Sequence, residues 1–223
     1  MNKVFDFKDE IKDTIQACFY ADLSPLSVSQ FTITSSTEFD YKLSETIVYN
    51  EHNNSEPAPS DIEITSYYIK LVFNGTDGML RKIYRKQGGL FFRSNDVRLQ
   101  FMSYGTRKGS NTEKSGAYLF LPDSNEAQPL LYSKPMIRVT RGLLISTLEV
   151  VIENPFKIVQ KIILYDNEDF VDIQTSLLLE GKKTKDIEVI LRFFTDVNNE
   201  DTFYTDLNGF QVSLSSFLSE TIF

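Results

Sequence analysis

The chain has no tryptophan, one cysteine and one histidine. A lone Cys18 cannot form an internal disulfide, and it leaves the redox compartment open. Metal centres built on His and Cys are excluded, because they need several converging donors. A nucleophilic triad needs a base beside Ser or Cys, and the single candidate, His52, sits in the polar loop Asn50–Asn54. There is no G-x-S-x-G motif and no phosphate-binding glycine loop. Without Trp, a stacking platform for sugars would have to use Tyr or Phe. No apolar run approaches the roughly 20 residues a membrane span requires. The N-terminal MNKVFDFKDEIKDTIQ lacks the apolar stretch of a signal peptide. The chain is therefore expected either to be cytosolic or to depend on an upstream part for an anchor.

Basic charge is also in short supply. The net charge is −8 and the pI about 4.8, which argues against nucleic acid as a partner. The basic clusters Arg81-Lys82, Arg85-Lys86 and Lys182-Lys183-Lys185 each lie beside turn glycines and read as solvated loop edges.

What is abundant is aromatic: 18 Phe and 11 Tyr in 223 residues. With many β-branched residues, this composition favours strands. A short helix is expected over residues 9–17. Residues 35–61 are rich in Ser, Thr, Glu, Asn and Pro, and Glu56–Asp61 reads as a linker with a domain boundary at about residue 60.

Beyond it, strand-like runs recur: Ile62–Phe73, Met79–Tyr84, Leu90–Phe92, Val97–Phe101, Ile137–Val139, Leu143–Ile152, Ile158–Tyr165, Phe170–Leu179, Ile187–Phe194, Thr202–Leu207 and Phe210–Leu214. Turns separate them every 8–15 residues or so, with Asn208-Gly209 as a hairpin signal. The class is all-β, a β-sandwich. Ala117–Leu121, closed by Pro122, fits a strand buried on both faces. The chain stops on apolar residues just after a strand, which suggests truncation.

Glycoside hydrolysis needs two carboxyl groups about 5–10 Å apart. Glu149, Glu188, Asp196 and Asp206 are candidates, although spacing does not say which of them meet. Asp206 precedes the Asn208-Gly209 turn, where a local backbone hydrogen bond is the expected role. Asp166–Asp169 reads as a solvated hairpin turn rather than a calcium loop. Sequons at Asn53 and Asn74 are glycosylation candidates in loop-like sequence.

Two blocks carry a resemblance. YGTRKGSNTEKSGAYLFLP (Tyr104–Pro122) and FYTDLNGFQV (Phe203–Val212) resemble the C-terminal region of the class II α-mannosidases, glycoside hydrolase family 38, in the Golgi α-mannosidase II branch. Ser24–Ile33, Ile69–Ile83 and Arg138–Gly142 resemble further segments of that region. The resemblance implies a partial immunoglobulin-like β domain plus linker over residues 1–60. Residues 61–223 would be the first part of a large, galactose mutarotase-like sandwich.

It further implies a parent enzyme that hydrolyses α-linked mannose in N-glycan processing, in the Golgi or secretory pathway. The catalytic zinc, its His and Asp ligands and an Asp nucleophile would lie on a missing catalytic barrel domain. No catalytic residue, metal ligand or cofactor carries over to this chain. One substrate contact does: Tyr104 matches a tyrosine sent toward the barrel's sugar site, with a packed core tyrosine as the alternative. A stand-alone carbohydrate-binding or interaction module, and a fragment that does not fold alone, are the other readings.

Overall fold

The computed structural model describes residues 18–32, 34, 44–50, 57–88, 90–107, 120–179, 186–200, 202–206, 209–210 and 212–216. Its strands in chain order are β1 (Ser44–Tyr49), β2 (Asp61–Thr65), β3 (Ile69–Asn74), β4 (Leu80–Gln87), β5 (Leu90–Gly105), β6 (Gln128–Pro129), β7 (Met136–Gly142), β8 (Ile145–Ile152), β9 (Lys157–Tyr165), β10 (Asp172–Leu178), β11 (Ile187–Thr195), β12 (Thr202–Asp206) and β13 (Val212–Ser216). No helix occurs among the described residues, and the expected helix over 9–17 lies outside them.

Two antiparallel sheets form a sandwich. One runs β1-β7-β8-β9-β10 and the other β11-β5-β4-β3-β2, with β6 beside β5 and β12-β13 as a separate hairpin. Period-two alternation supplies the core. Ile62 and Ile64 point inward from β2, Leu71 and Phe73 from β3, Leu99 and Phe101 from β5. From the facing sheet come Ile137 and Val139, Leu148 and Val150, and Ile158 and Ile162. Each such side chain, fully buried, contributes about 1.5–3 kcal/mol by leaving water. Gln160 interrupts this face on β9. It is 1% exposed, and neither amide atom has a hydrogen-bond partner in the protein.

Three boundaries differ from the sequence expectation. Ile62–Phe73 is two strands rather than one run. Tyr67 and Tyr68 turn the chain, Ser66 N–H donates to the Ile69 carbonyl at 2.8 Å, and Ile69 N–H donates to the Ser66 hydroxyl at 3.1 Å. That hydroxyl stabilises the bend where no Gly or Pro marks it. Leu90–Phe92 and Val97–Phe101 are one strand, β5. It pairs with β4 along its first part and with β11 from Val97 to Gly105, so a change of partner replaces a turn. Finally β1, inside the segment placed before the boundary at residue 60, pairs with β7, and the sandwich sheet reaches back to Ser44.

The β3–β4 turn locks one sheet onto the other. Gly78 has φ +70°, and a Cβ there would stand 2.6 Å from Val150 Cγ2 and 3.3 Å from Ile137 Cδ1. Gly75 N–H donates to the Ser60 carbonyl at 2.9 Å, and a Cβ on it would fall 1.6 Å from the Pro59 oxygen. Both positions require glycine because backbone and core approach too closely for any side chain.

Candidate substrate-contact site

Tyr104 lies at the end of β5. Val97, Leu99 and Phe101 face the core, so alternation puts Tyr104 on the outer face. There it is half-buried, directly opposite Glu188 on β11. Its ring meets Phe120 edge-on, with centroids 5.3 Å apart and an interplanar angle of 77°. This geometry suits two ring quadrupoles. It also fixes the tyrosine ring while leaving part of it accessible.

The chain leaves β5 here for the loop whose residues 108–119 lie outside the described set. Its base is closed by paired backbone. Thr106 and Pro122 form an antiparallel bridge, Arg107 N–H donates to the Leu121 carbonyl at 3.2 Å, and Thr106 N–H donates to the Asp186 carbonyl at 3.1 Å. Asp123 clamps Gly105 from both sides. Its carboxylate accepts the Gly105 N–H at 3.0 Å, and its own N–H donates to the Gly105 carbonyl at 2.9 Å. A Cβ on Gly105 would lie 2.3 Å from that carboxylate. Sequence reasoning missed Asp123 and Phe120 as the supports of Tyr104, although Pro122-Asp123-Ser124 is a turn signal. Of the expected buried strand Ala117–Leu121, Phe120 and Leu121 are described. Neither is in a strand, and Phe120 is 52% exposed, because it covers the Tyr104 ring from outside the sandwich.

The four candidate carboxylates do not converge. Glu149 sits on the outer face of the first sheet, since Leu148 and Val150 face the core. It is buried and paired with the Arg138 guanidinium and with Lys161 Nζ at 3.3 Å, so it serves as the centre of an ion-pair cluster. Glu188 projects from the outer face of the opposite sheet. Asp196 follows β11 and accepts a hydrogen bond from Asn95 at 2.9 Å. That bond, outweighing desolvation, holds its pKa below the usual carboxylate value, with backbone hydrogen bonds and Arg93 adding to it. Asp206 ends β12, and its carboxylate accepts the Gly209 N–H at 2.7 Å, the turn role expected of it.

Farther along the same pair of strands, where Phe194 stands opposite Arg98, Arg98 lies 4.2 Å over the Phe194 ring and Arg192 lies 5.8 Å from the same ring. Asn74 ends β3 half-buried, with its side-chain oxygen accepting the Thr76 N–H at 2.9 Å. Asn53 and His52 lie outside the described residues, as do Asn208 and Lys182-Lys183-Lys185. Asp166-Asn167-Glu168-Asp169 links β9 to β10. Among the described residues, no three of His, Cys, Asp and Glu come together as a metal site requires.

Residues 64–221 match the family model described as the glycosyl hydrolases family 38 C-terminal domain. The chain is 28% identical to mouse alpha-mannosidase 2, over 88% of this chain and 17% of the relative. It is 35% identical to mouse alpha-mannosidase 2x, over 72% of this chain and 14% of the relative. With human alpha-mannosidase 2 it shares 27% identity over 99% of this chain and 20% of the relative. It therefore spans about a fifth or less of the length of these relatives. A family match over most of the residues, on an all-β sandwich of two antiparallel sheets, establishes that the chain belongs to the glycoside hydrolase family 38 α-mannosidases, in their C-terminal region.

Proposed function

We propose that the chain is the C-terminal β-sandwich of an α-mannosidase II-type enzyme that hydrolyses α-linked mannose during N-glycan processing, and that it serves as scaffold and as supplier of one substrate contact. The observation that carries this reading is the family match over residues 64–221. The family resemblance implies a catalytic zinc and a carboxylate nucleophile. The described residues do not fit the ion, since no three potential ligands converge and Glu149, Glu188, Asp196 and Asp206 stand apart. Zinc and nucleophile are assigned to a barrel domain beyond these residues, with which the sandwich would pack. The Golgi setting rests on the likeness to alpha-mannosidase 2 proteins. No described helix is long and apolar enough to cross a membrane.

The sandwich's chemical part in this reading is positional. Tyr104 is held by Phe120, and the backbone behind it is held by the Asp123 clamp on Gly105. A phenol fixed in this way offers one hydrogen bond to a sugar hydroxyl with little ordering left to do on binding. Removing the hydroxyl alone, by Tyr104→Phe in the complete enzyme, is expected to lower kcat/KM on an aryl α-mannoside about 10-fold. That is the loss of one hydrogen bond of roughly 1–1.5 kcal/mol. The melting temperature should not change. An unaltered kcat/KM would remove Tyr104 from the site.

A second reading, a carbohydrate-binding module, is supported by one feature: Tyr67 and Tyr68, exposed side by side with ring centroids 4.8 Å apart.

A further inference from the structure

We propose that Asn74 carries an N-linked glycan, attached through the sequon Asn74-Gly75-Thr76 in the β3–β4 turn. The proposal rests on the secretory setting of the α-mannosidase II reading, because the transferase and its glycosyl donor work inside that pathway. The sequon by itself is only a short pattern. The fold adds where its amide stands and what a glycan there would cover.

Asn74 closes β3, one residue past the inward-facing Phe73, so alternation brings it to the outer face of its sheet. The turn sets the direction of its amide. Thr76 N–H donates to the Asn74 side chain at 2.9 Å. A backbone N–H can only donate, so the atom it meets is Oδ1, and Nδ2 is the end of the amide turned away from that bond. The same bond draws the acceptor residue up against the threonine whose hydroxyl completes the sequon. Asn74 is half-buried and Thr76 exposed. Gly75, between them, has no side chain to stand over the amide.

Backbone bonds make this a rigid stem. Asn74 N–H donates to the Met79 carbonyl at 2.9 Å, Gly78 N–H donates to the Asn74 carbonyl at 2.7 Å, and Gly75 N–H donates to the Ser60 carbonyl at 2.9 Å. Around the stem the outer face is solvated charge. Asp61 stands directly opposite Asn74 and pairs with Arg81 at 2.9 Å, both about half exposed. Lys70 pairs with Glu63 at 3.3 Å, and Lys82 with Asp96 at 3.8 Å. Ion pairs this open contribute little to stability, so a bulky polar glycan over them displaces no packing.

In the transfer, Asn74 Nδ2 bonds to the anomeric carbon of a lipid-linked oligosaccharyl diphosphate. The bond from that carbon to the diphosphate oxygen breaks, and the lipid diphosphate leaves with the electron pair. Nδ2 gives up one proton to the transferase. Oδ1 is untouched, so the product keeps the Thr76 hydrogen bond and the turn. The β3–β4 turn then lies in solvent in the complete enzyme, clear of the catalytic domain.

The test is expression of the complete enzyme that contains this chain in a eukaryotic cell line, then peptide N-glycosidase treatment in heavy-oxygen water and mass spectrometry of the peptide bearing Asn74. The expected result is conversion of Asn74 to heavy-oxygen aspartate in most molecules. Asn74→Gln and Thr76→Ala should each remove one glycan, read as one step of gel mobility, and Thr76→Ser should keep it. Thr76→Ala retains the backbone donor of the Asn74 hydrogen bond, so its loss of the glycan is not a loss of the turn. A glycan on Asn74 that survives Thr76→Ala would overturn the proposal. Lumenal residence is read separately, by protease protection of intact microsomes. A cytosolic enzyme would overturn the Golgi setting and the glycan together, while a lumenal, active enzyme bare at Asn74 would overturn the glycan alone.

Discussion

Gly78→Ala offers a test of how the two sheets are locked together. Gly78 and Gly88 both have positive φ, +70° and +59°. An alanine at either therefore bears a left-handed backbone strain of about 1–2 kcal/mol. Part of it is offset by roughly 0.4–1 kcal/mol, because alanine restricts the unfolded chain. These contributions are shared. The surroundings differ: a Cβ at Gly88 meets nothing within 4 Å, whereas at Gly78 it comes 2.6 Å from Val150 Cγ2 and 3.3 Å from Ile137. Val150 and Ile137 are both 0% exposed and cannot swing aside. Overpacking of this kind costs about 1–3 kcal/mol.

Gly88→Ala should thus destabilise by about 0–1.6 kcal/mol, and Gly78→Ala by about 1–3 kcal/mol more than that. Urea denaturation with unchanged m values would measure the difference. In a Val150→Ala background the excess should shrink, because the clashing methyl is gone. Equal destabilisation by Gly78→Ala and Gly88→Ala would refute the packing of the β3–β4 turn onto β7 and β8.

Further predictions concern buried polar groups. Gln160→Met should raise stability by about 1–2 kcal/mol, seen as a higher denaturation midpoint, since an amide buried without partners carries a penalty of roughly 1–3 kcal/mol. Destabilisation would mean that the amide is hydrogen-bonded in solution. The Tyr132 phenol is pushed up to about 12, by burial first and by the Asp77 carboxylate second. A raised folded-state value means that the folded chain keeps its proton when the unfolded chain has lost it. Stability from this group is therefore complete below about pH 10, the ordinary tyrosine value, and falls as pH rises from there toward 12. Tyr132→Phe should flatten that part of the pH profile, and phenolate absorbance should place one tyrosine's titration near the upper end.

Much of the sandwich is visible in local pattern. β8, β9 and β10 show as apolar or alternating runs, and Asp206 with Gly209 marks the β12–β13 turn by its own hydrogen bond. The features that escaped are nonlocal. β1 hides in a polar stretch because only Ile47 and Tyr49 face inward and its partner, β7, lies about a hundred residues downstream. The Tyr67-Tyr68 bend depends on the Ser66 hydroxyl rather than on Gly or Pro. β5 looks like two strands because its partner changes at Val97. The site was less legible still. Tyr104 stood out only through resemblance, since alternation puts it on an outer face without saying what it meets. Spacing did not separate Glu149 from Glu188, and only the fold shows that they point away from opposite sheets. The Tyr67 turn and the Asp166 turn, from two different sheets, are tied by a hydrogen bond that no sequence window contains.

The measurement that most directly tests the scaffold role is an α-mannosidase assay of the purified chain, supplied with zinc, beside the complete enzyme that contains it. The account predicts mannose release from an aryl α-mannoside by the complete enzyme and none above background by the chain alone. Zinc-dependent release by the chain alone would contradict it, because a hydrolytic centre would then lie within these 223 residues.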